Sequence, residues 1–550
     1  MIRKKSLLLL CKIILTAFLF NLAACGGLGE KQKTGEADKD GGKPAKAEVK
    51  SRELIKQAAG TAQPQAAPME AEMDDSIAFN TEEYGRIYEN QFKDAAQNPL
   101  STFSIDVDNA SYSNIRRFVT SNRLPPKDAV RIEEMINYFT YDYPQPTGDR
   151  PFSITTEIAV CPWNVKHKLV HIGLQGKSLN YDDLKPCNLV FLVDSSGSMS
   201  SDNKLPLLKK SLKMLVEVLD DRDKIAVVAY AGSAGLVLPA TPATQKDRII
   251  NALDQLNAGG STAGGEGIQL AYKVAAENLI KDGNNRVILC TDGDFNIGAS
   301  STGDLVRLIE EKRKNDIYLT ICGFGMGNYK DDRMEQISNA GNGNYFYIDN
   351  IKEAKKVFVT EMRANLFTIA KDVKIQVEFN PTRVKAYRLV GYENRVMANE
   401  DFNDDKKDAG ELGAGHTVTA LYEITPAGSG ETVKKTDALK YQETKVTSAA
   451  AQSSEIMTVK LRYKPPKEEK SLLIEQPLPD RDIPVKESSD NFRFSAAVAG
   501  FGMLLRDSQF KGDLTYEAVL TLAKGALGED TEGYRAEFIR LVETCALLAK

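Results

Sequence analysis

The segment from Asn188 to Ser200, NLVFLVDSSGSMS, constrains the fold of this chain more than any other. Its apolar run from Leu189 to Val193 predicts a parallel strand buried on both faces, because a strand with one wet face would alternate polar and apolar residues. An Asp-Ser-Ser-Gly-Ser turn follows at the carboxyl end of that strand. Open α/β sheets place their ligands at this end, so we expect a functional site there.

The turn offers oxygen ligands at alternate positions. Asp194, Ser196 and Ser198 can direct three oxygens at one point, and Gly197 between them permits a tight backbone. Carboxylate and hydroxyl oxygens suit Mg²⁺, Mn²⁺ or Ca²⁺. Taken alone, the motif also fits an ordinary Ser-rich turn.

The region 187–366 alternates strands and helices. Apolar runs at 189–193, 225–230, 287–290 and 317–322 are separated by amphipathic segments. Such alternation predicts an α/β domain with a doubly wound, mostly parallel, Rossmann-like sheet covered by helices on both faces. Parallel strands end at one edge of the sheet, so the loops that follow them can meet there.

Two further loops carry oxygen ligands toward that edge. Thr262 ends a GGST loop before a predicted helix, and Asp292 lies in a TDGD loop directly after the strand 287–290. Together with Asp194, Ser196 and Ser198, they form a pattern that resembles the metal-ion-dependent adhesion site of von Willebrand factor type A (VWA) domains.

That resemblance implies a ligand set and a function. Ser196, Ser198 and Thr262 would coordinate Mg²⁺, or alternatively Mn²⁺ or Ca²⁺, while Asp194 and Asp292 would bind it directly or through water. An open sixth position would accept a carboxylate from a partner protein. The charges agree with this expectation, because two carboxylates and three neutral hydroxyls leave the ion able to attract another acidic group.

The resemblance extends over nearly all of the chain after residue 80. FSIDVDNASYSNIRRF and DAVRIEEMINYFTYDYP, within 80–186, are similar to the N-terminal von Willebrand-associated region of a family of bacterial secreted or lipid-anchored proteins. DNFRFSAAVAGFGMLLRDS, near the end, is similar to that family's uncharacterised C-terminal domain. The family's molecular role is poorly defined, so the resemblance informs architecture more than activity.

The segment 367–550 changes from period two to helical spacing. Its alternating runs predict an antiparallel β-module, a small sandwich with FSITTEIAV and HKLVHIGL as sequence-distant partners, and its last 60 residues predict helices.

In the N-terminal region, Asp106 and Asp108 alternate as in a calcium loop. Because no Gly or distal Glu follows at EF-hand spacing, we expect instead that Asp108 or Ser111 caps a helix.

The amino terminus predicts export and anchoring. Residues 1–24 combine a basic start with an apolar run, as in a secretory signal peptide, and LAAC resembles the lipobox of bacterial lipoproteins. The resemblance implies cleavage before Cys25, its acylation and, with Gly26 following, an outer-membrane location facing the periplasm or the cell surface. A retained transmembrane anchor is the alternative. Residues 25–79 contain few large apolar residues and predict a disordered tether of about 40 Å.

The remaining cysteines predict little chemistry. Cys290 and Cys322 fall in predicted buried strands, where a free thiol behaves as a small hydrophobic group. A disulfide between Cys161 and Cys187 is conceivable in an oxidising compartment, but the odd number of cysteines after Cys25 does not favour it.

Composition and motifs exclude several functions. A net charge of -5 without a basic, aromatic-rich cluster argues against nucleic acid as a partner. Only His167, His171 and His416 offer a base, all on or beside predicted strands, and the chain has neither a G-x-S-x-G elbow nor a Walker A loop. We therefore expect no enzyme, although Asp294 and Glu266 near the predicted metal keep that option open.

Two functions from different classes remain. The first is a lipid-anchored module outside the cytoplasm that grips an acidic protein ligand through the cation. The second is a structural or assembly scaffold of the cell envelope, in which the cation only orders loops. Cooperation with an AAA-type ATPase is disfavoured by the export signal, since no ATP is expected outside the cell.

Overall fold

The computed structural model describes residues 82–550, except for 106–107, 181–183, 261–263, 294, 296–301, 328–329, 362–365 and 433–445. The predicted signal peptide, Cys25 and the tether lie outside the described residues, as do Thr262 and Asp294. Those expectations stay predictions. Within the described ranges, no helix is both long and apolar enough to cross a membrane.

Seventeen strands and twelve α-helices make up the described chain. The strands are β1 (Lys93–Asp94), β2 (Leu100–Ser104), β3 (Phe152–Cys161), β4 (Asn164–Gly176), β5 (Cys187–Asp194), β6 (Lys224–Tyr230), β7 (Ala234–Pro242), β8 (Asn284–Thr291), β9 (Ile317–Phe324), β10 (Tyr345–Ile348), β11 (Thr368–Phe379), β12 (Val384–Val390), β13 (Val396–Met397), β14 (Gly410–Gly413), β15 (Thr417–Pro426), β16 (Glu455–Lys464) and β17 (Leu472–Pro479). The helices span Ala110–Thr120, Ile132–Asn137, Leu205–Val218, Lys246–Asp254, Gly264–Glu277, Thr302–Arg313, Asp331–Ala340, Ile351–Lys355, Ser448–Gln452, Asp490–Arg506, Tyr516–Lys524 and Tyr534–Leu548.

A six-stranded sheet in the order β10-β9-β8-β5-β6-β7 forms the centre of the α/β domain. Its strands pair in parallel except for β7, which pairs antiparallel with β6 at the edge. Alternate side chains of β5 enter two separate cores: Leu189 packs in the same core as Leu208, while Val190 packs with Ile268 on the other face. The prediction of a doubly wound, mostly parallel sheet is confirmed.

Two antiparallel sheets form a sandwich beside this domain. One has the order β1-β12-β15-β4-β3 and the other β13-β2-β11-β16-β17, with β14 also paired to β11. Their inner faces share one core, in which Ile172 and Val418 of the first sheet meet Ile375 and Val459 of the second. The prediction that the strands before the α/β domain pair with those after it is confirmed, because β4 pairs with β15.

The C-terminal helices pack against the N-terminal ones in a fourth core, in which the ring of Phe538 contacts both Phe139 and Phe501. Arg116 joins this core to the α/β domain. Its guanidinium lies 2.6 Å from a carboxylate oxygen of Glu353 and 2.8 Å from one of Glu537. The segments on either side of the α/β domain therefore form a common frame for it.

The structure excludes the alternative of a disulfide between Cys161 and Cys187, and one expectation, the cap of the helix Ala110–Thr120, is wrong. Cys161 and Cys187 are both buried free thiols, since Cys161 ends β3 of the sandwich and Cys187 begins β5 of the central sheet. The helix Ala110–Thr120 has Asn109 at its N-cap without a side-chain cap. Asp108 accepts instead from the Tyr345 backbone N–H and from Arg395, and the Ser111 hydroxyl donates to a distant carbonyl, so both are drawn into tertiary contacts.

Candidate metal centre

Asp194 ends β5 and is completely buried at the carboxyl edge of the central sheet. Its Oδ1 accepts from the Ser196 backbone N–H at 2.9 Å. Its Oδ2 accepts from the Tyr230 hydroxyl at 3.1 Å and from Thr291 Oγ1 at 3.3 Å. Tyr230 and Thr291 end the two strands that flank β5, so the neighbouring strands fix the orientation of this carboxylate.

The serine turn presents two hydroxyls beside Asp194. Ser196 Oγ and Ser198 Oγ lie 2.9 Å apart, and a short 3₁₀ turn over Gly197–Ser200 continues the chain. The next predicted loop packs against this turn, because Gly197 donates its N–H to the Gly260 carbonyl at 3.1 Å. The backbone leading toward Thr262 is thus held against the serine turn, while Thr262 itself lies outside the described residues.

Asp292 follows β8 and is also completely buried. Its Oδ2 accepts from the Lys204 ammonium at 2.8 Å. Its Oδ1 has no hydrogen-bond partner among the described residues. A buried carboxylate oxygen without a partner is costly, which makes this atom a ready ligand for a cation.

The electrostatics of the centre favour positive charge. Burial raises the pKa of Asp194, and the nearby Asp292 carboxylate raises it further, while hydrogen bonds from Ser196 and Tyr230 work in the opposite direction. Two buried carboxyl groups that repel each other are stabilised by a cation between them.

The residues present fit a hard divalent cation. The structure brings Asp194, Ser196, Ser198 and Asp292 to one edge of the sheet, and all offer oxygen. Neither histidine nor cysteine takes part in the contacts described for these four side chains, and a set of oxygen ligands suits Mg²⁺, Mn²⁺ or Ca²⁺ better than softer metals.

Sequence reasoning missed three residues of this centre: Lys204, Tyr230 and Thr291. Thr291 directly precedes Asp292, and Tyr230 ends the predicted strand 225–230, so their positions at the sheet edge were readable from the pattern. The role of Lys204 could not be predicted from the sequence, since this residue lies in a polar segment between the serine turn and the next helix.

Both histidines on β4 belong to the sandwich and not to the central sheet that carries the metal centre. His167 contacts Glu423 and Glu431, and His171 contacts Tyr143 and Ser495, so both are satisfied within the core. Glu266 is exposed in the first turn of its helix.

A second cluster of carboxylates could hold a metal by distance alone. Asp108, Glu134 and Glu335 place ligand atoms within 4.8 Å of one another. Arg131 and Arg395 form ion pairs with this group, so it is a buried ion-pair network.

Three family models match this sequence. "von Willebrand factor type A domain" matches residues 188–360, "von Willebrand factor" matches 78–171, and "Uncharacterized protein YfbK, C-terminal" matches 364–548. The first of these ranges contains all five predicted metal ligands.

Two relatives and one solved structure are similar to this chain. Uncharacterized protein YfbK of Escherichia coli (strain K12) is 43% identical over 471 residues, covering 84% of this chain and 81% of that protein. Uncharacterized protein sll0103 of Synechocystis sp. is 29% identical over 191 residues, covering 34% of this chain and 44% of that protein. A solved structure of von Willebrand factor type A from Catenulispora acidiphila has a TM-score of 0.41 at 16% identity, covering 72% of this chain and 91% of that one. The chain belongs to the YfbK-like family of VWA-domain proteins and carries the C-terminal domain of that family.

Proposed function

We propose that this protein is a membrane-anchored, extracytoplasmic binding module that holds a carboxylate-bearing partner protein through a divalent cation. Asp194, Ser196, Ser198, Thr262 and Asp292 would hold the ion, which is Mg²⁺ or alternatively Mn²⁺ or Ca²⁺. The observation that carries the proposal is the buried Oδ1 of Asp292, which has no partner among the described residues. A VWA domain, typically a metal-dependent interaction module, agrees with this chemistry.

The anchor belongs to the same proposal. Acylation of Cys25 would attach the chain to the outer membrane of the cell envelope, and the tether would let the folded part face the periplasm or the cell surface. Two or more acyl chains give stable attachment where one does not.

The residues around the metal centre are arranged to bind a ligand rather than to catalyse a reaction. Tyr230 and Thr291 fix Asp194, and Lys204 fixes Asp292, so the two carboxylates are oriented before any ligand arrives. When bound, the cation supplies a positive charge and a coordination position for an incoming acidic side chain. The two histidines on β4 are engaged in the core, which supports a binding role over a catalytic one.

The first prediction tests the metal. Wild type should bind Mg²⁺ by titration calorimetry, and Asp292→Asn should weaken that binding on the order of a hundredfold, since it removes one of two anionic ligands at similar volume. Asp254→Asn is the matched control, because Asp254 is a half-exposed carboxylate paired with Lys213. Circular dichroism in EDTA checks that each variant is folded.

The same variants test the partner. Proteins are crosslinked in cells and then captured in either Mg²⁺ or EDTA. Wild type and Asp254→Asn should recover a partner in Mg²⁺ but not in EDTA, whereas Asp292→Asn should recover less of it in Mg²⁺. Absence of Mg²⁺ binding by wild type would refute the proposal.

A scaffold role in the envelope is the second candidate, and the buried ion pairs of Arg116 favour it. They hold the α/β domain to the flanking helices, as expected of a rigid structural part. Partners that are captured equally in Mg²⁺ and EDTA would select this function.

A further inference from the structure

Lys204 is an unusual neighbour for a predicted metal ligand. It directly precedes the helix Leu205–Val218, only 7% of its surface is exposed, and its ammonium contacts the buried Asp292 carboxylate. Lysine is almost never this buried unless it is paired. Two oxygens of Asp292 therefore have separate roles: Oδ2 faces Lys204, and Oδ1 is left without a partner among the described residues.

The surrounding backbone is shaped for this lysine. Gly325, which follows β9, has a φ of +79°, and a Cβ at that position would overlap the methylene groups of Lys204. A glycine with positive φ lets the chain pass close to the lysine stem, which positions the ammonium beside Asp292. Lys204 is thus held by its stem as well as by its charge.

We propose that Lys204 is a built-in counter-ion of the metal centre, which weakens binding of the divalent cation and gives the loaded centre a net positive charge. In the metal-free protein, Lys204 balances one of the two buried carboxylates, Asp194 and Asp292. With a divalent cation bound, the two carboxylates, the ammonium and the ion sum to +1, whereas without Lys204 they would sum to zero. The net positive charge attracts a carboxylate ligand.

This inference deepens the proposed function and rests on it. The lysine lowers the affinity of the centre for the divalent cation and raises the affinity of the loaded centre for an acidic group. The class of ligand it selects is anionic, and a neutral hydroxyl or amide would gain nothing from the added charge.

Lys204→Met tests the inference, because methionine keeps much of the stem and removes the charge. The expected result is Mg²⁺ binding that is tighter on the order of tenfold by titration calorimetry, since a repelling cation next to Asp292 is gone. The metal-free variant should be less stable than wild type, because Asp292 loses its counter-ion, and Mg²⁺ should raise its melting temperature by more than it raises that of wild type.

Acetate is the probe for the ligand. In Mn²⁺-loaded protein, a carboxylate that displaces bound water lowers water-proton relaxation, and Lys204→Met should need several times more acetate than wild type for the same decrease. Lys213→Met is the matched control, because it removes the same charge from the helix that Lys204 precedes. Lys213 forms an exposed ion pair with Asp254. This control should leave both affinities unchanged.

The outcomes separate the two proposals. Wild type without Mg²⁺ binding would refute the metal centre itself. Wild type that binds Mg²⁺, together with a Lys204→Met variant that binds it equally or more weakly, would overturn the counter-ion role. If the single variant does not fold without metal, the Lys204→Met/Asp292→Asn double variant should recover metal-free stability, because residue 292 then carries no charge that lacks a counter-ion. Failure to recover it would also count against the role.

Discussion

The pKa values of His167 and His171, four residues apart on β4, are shifted in opposite directions by their surroundings. Burial alone lowers the pKa of His167, but hydrogen bonds and charges from Glu423 and Glu431 outweigh it, so the pKa is raised above its usual value. Burial lowers the pKa of His171 to about 3. Glu423 lies on β15, 256 positions from His167, so the sequence predicted satisfied histidines but not their partners.

His167 should stabilise the fold in a pH-dependent way. Its folded pKa lies above the unfolded value of about 6.5, so its stabilisation is complete below that pH and is lost as pH rises through the folded pKa. We expect His167→Gln to cost about 2 kcal/mol of unfolding free energy at pH 6 and clearly less at pH 9, measured by urea denaturation.

His171→Gln is the matched control and should show the opposite trend. Because the folded pKa of His171 is depressed, the unfolded chain takes up a proton at this position near pH 6 that the folded chain does not. Its replacement should therefore cost less at pH 6 than at pH 9. Equal costs at both pH values for His167→Gln would contradict the charge assigned to His167.

At the scale of elements, the long buried strands were predictable and the edge strands were not. The runs 189–193, 225–230, 287–290 and 317–322 all became strands of the central sheet. The edge strands β7 and β10 had no such signal: β7 is partly exposed along its length, and β10 has only four residues. Both segments form strands because each pairs with a neighbouring strand of the folded sheet, β7 with β6 and β10 with β9.

Gly343 shows how closely these elements approach. It lies between the helix Asp331–Ala340 and β10, and a Cβ there would overlap the backbone carbonyl of Leu319 in β9. Backbone cannot move aside as a side chain can, so we expect Gly343→Ala to destabilise the protein by about 3 kcal/mol. Gly428→Ala is the control, since a Cβ at Gly428 meets nothing within 4 Å. Denaturant unfolding should show little change for the control, and an equally small change for Gly343→Ala would contradict this packing.

At the scale of the whole molecule, the α/β domain is inserted between two halves of a sandwich. β2 pairs with β11 and β4 with β15, so strands from both flanks of the domain complete each other's sheets. Arg116 ties the domain to the helices at both ends through Glu353 and Glu537. This arrangement predicts that the α/β domain and its flanks unfold together.

The proposed anchor is tested on the full chain in cells. Cys25→Ser should move the protein from the carbonate-washed membrane fraction to the soluble periplasmic fraction and abolish labelling with a fatty-acid analogue, because acylation requires the thiol. Cys11→Ser, within the predicted signal peptide, is the matched control and should leave both unchanged. Retention of Cys25→Ser in the membrane would instead support a transmembrane anchor.

The sequence by itself determined the sheet class, the β-module, the helical end and the candidate ligands, because strand burial, residue period and loop chemistry are local patterns. Only the tertiary structure decided that Cys161 and Cys187 lie in different sheets, that Asp108 binds a distant backbone N–H, and that Lys204 faces Asp292. Those outcomes depend on contacts between residues far apart in the chain, which no local period encodes. The sequence predicted the Asp194 turn, but only the tertiary structure showed that Lys204 offsets part of the negative charge of the two carboxylates by pairing with Asp292.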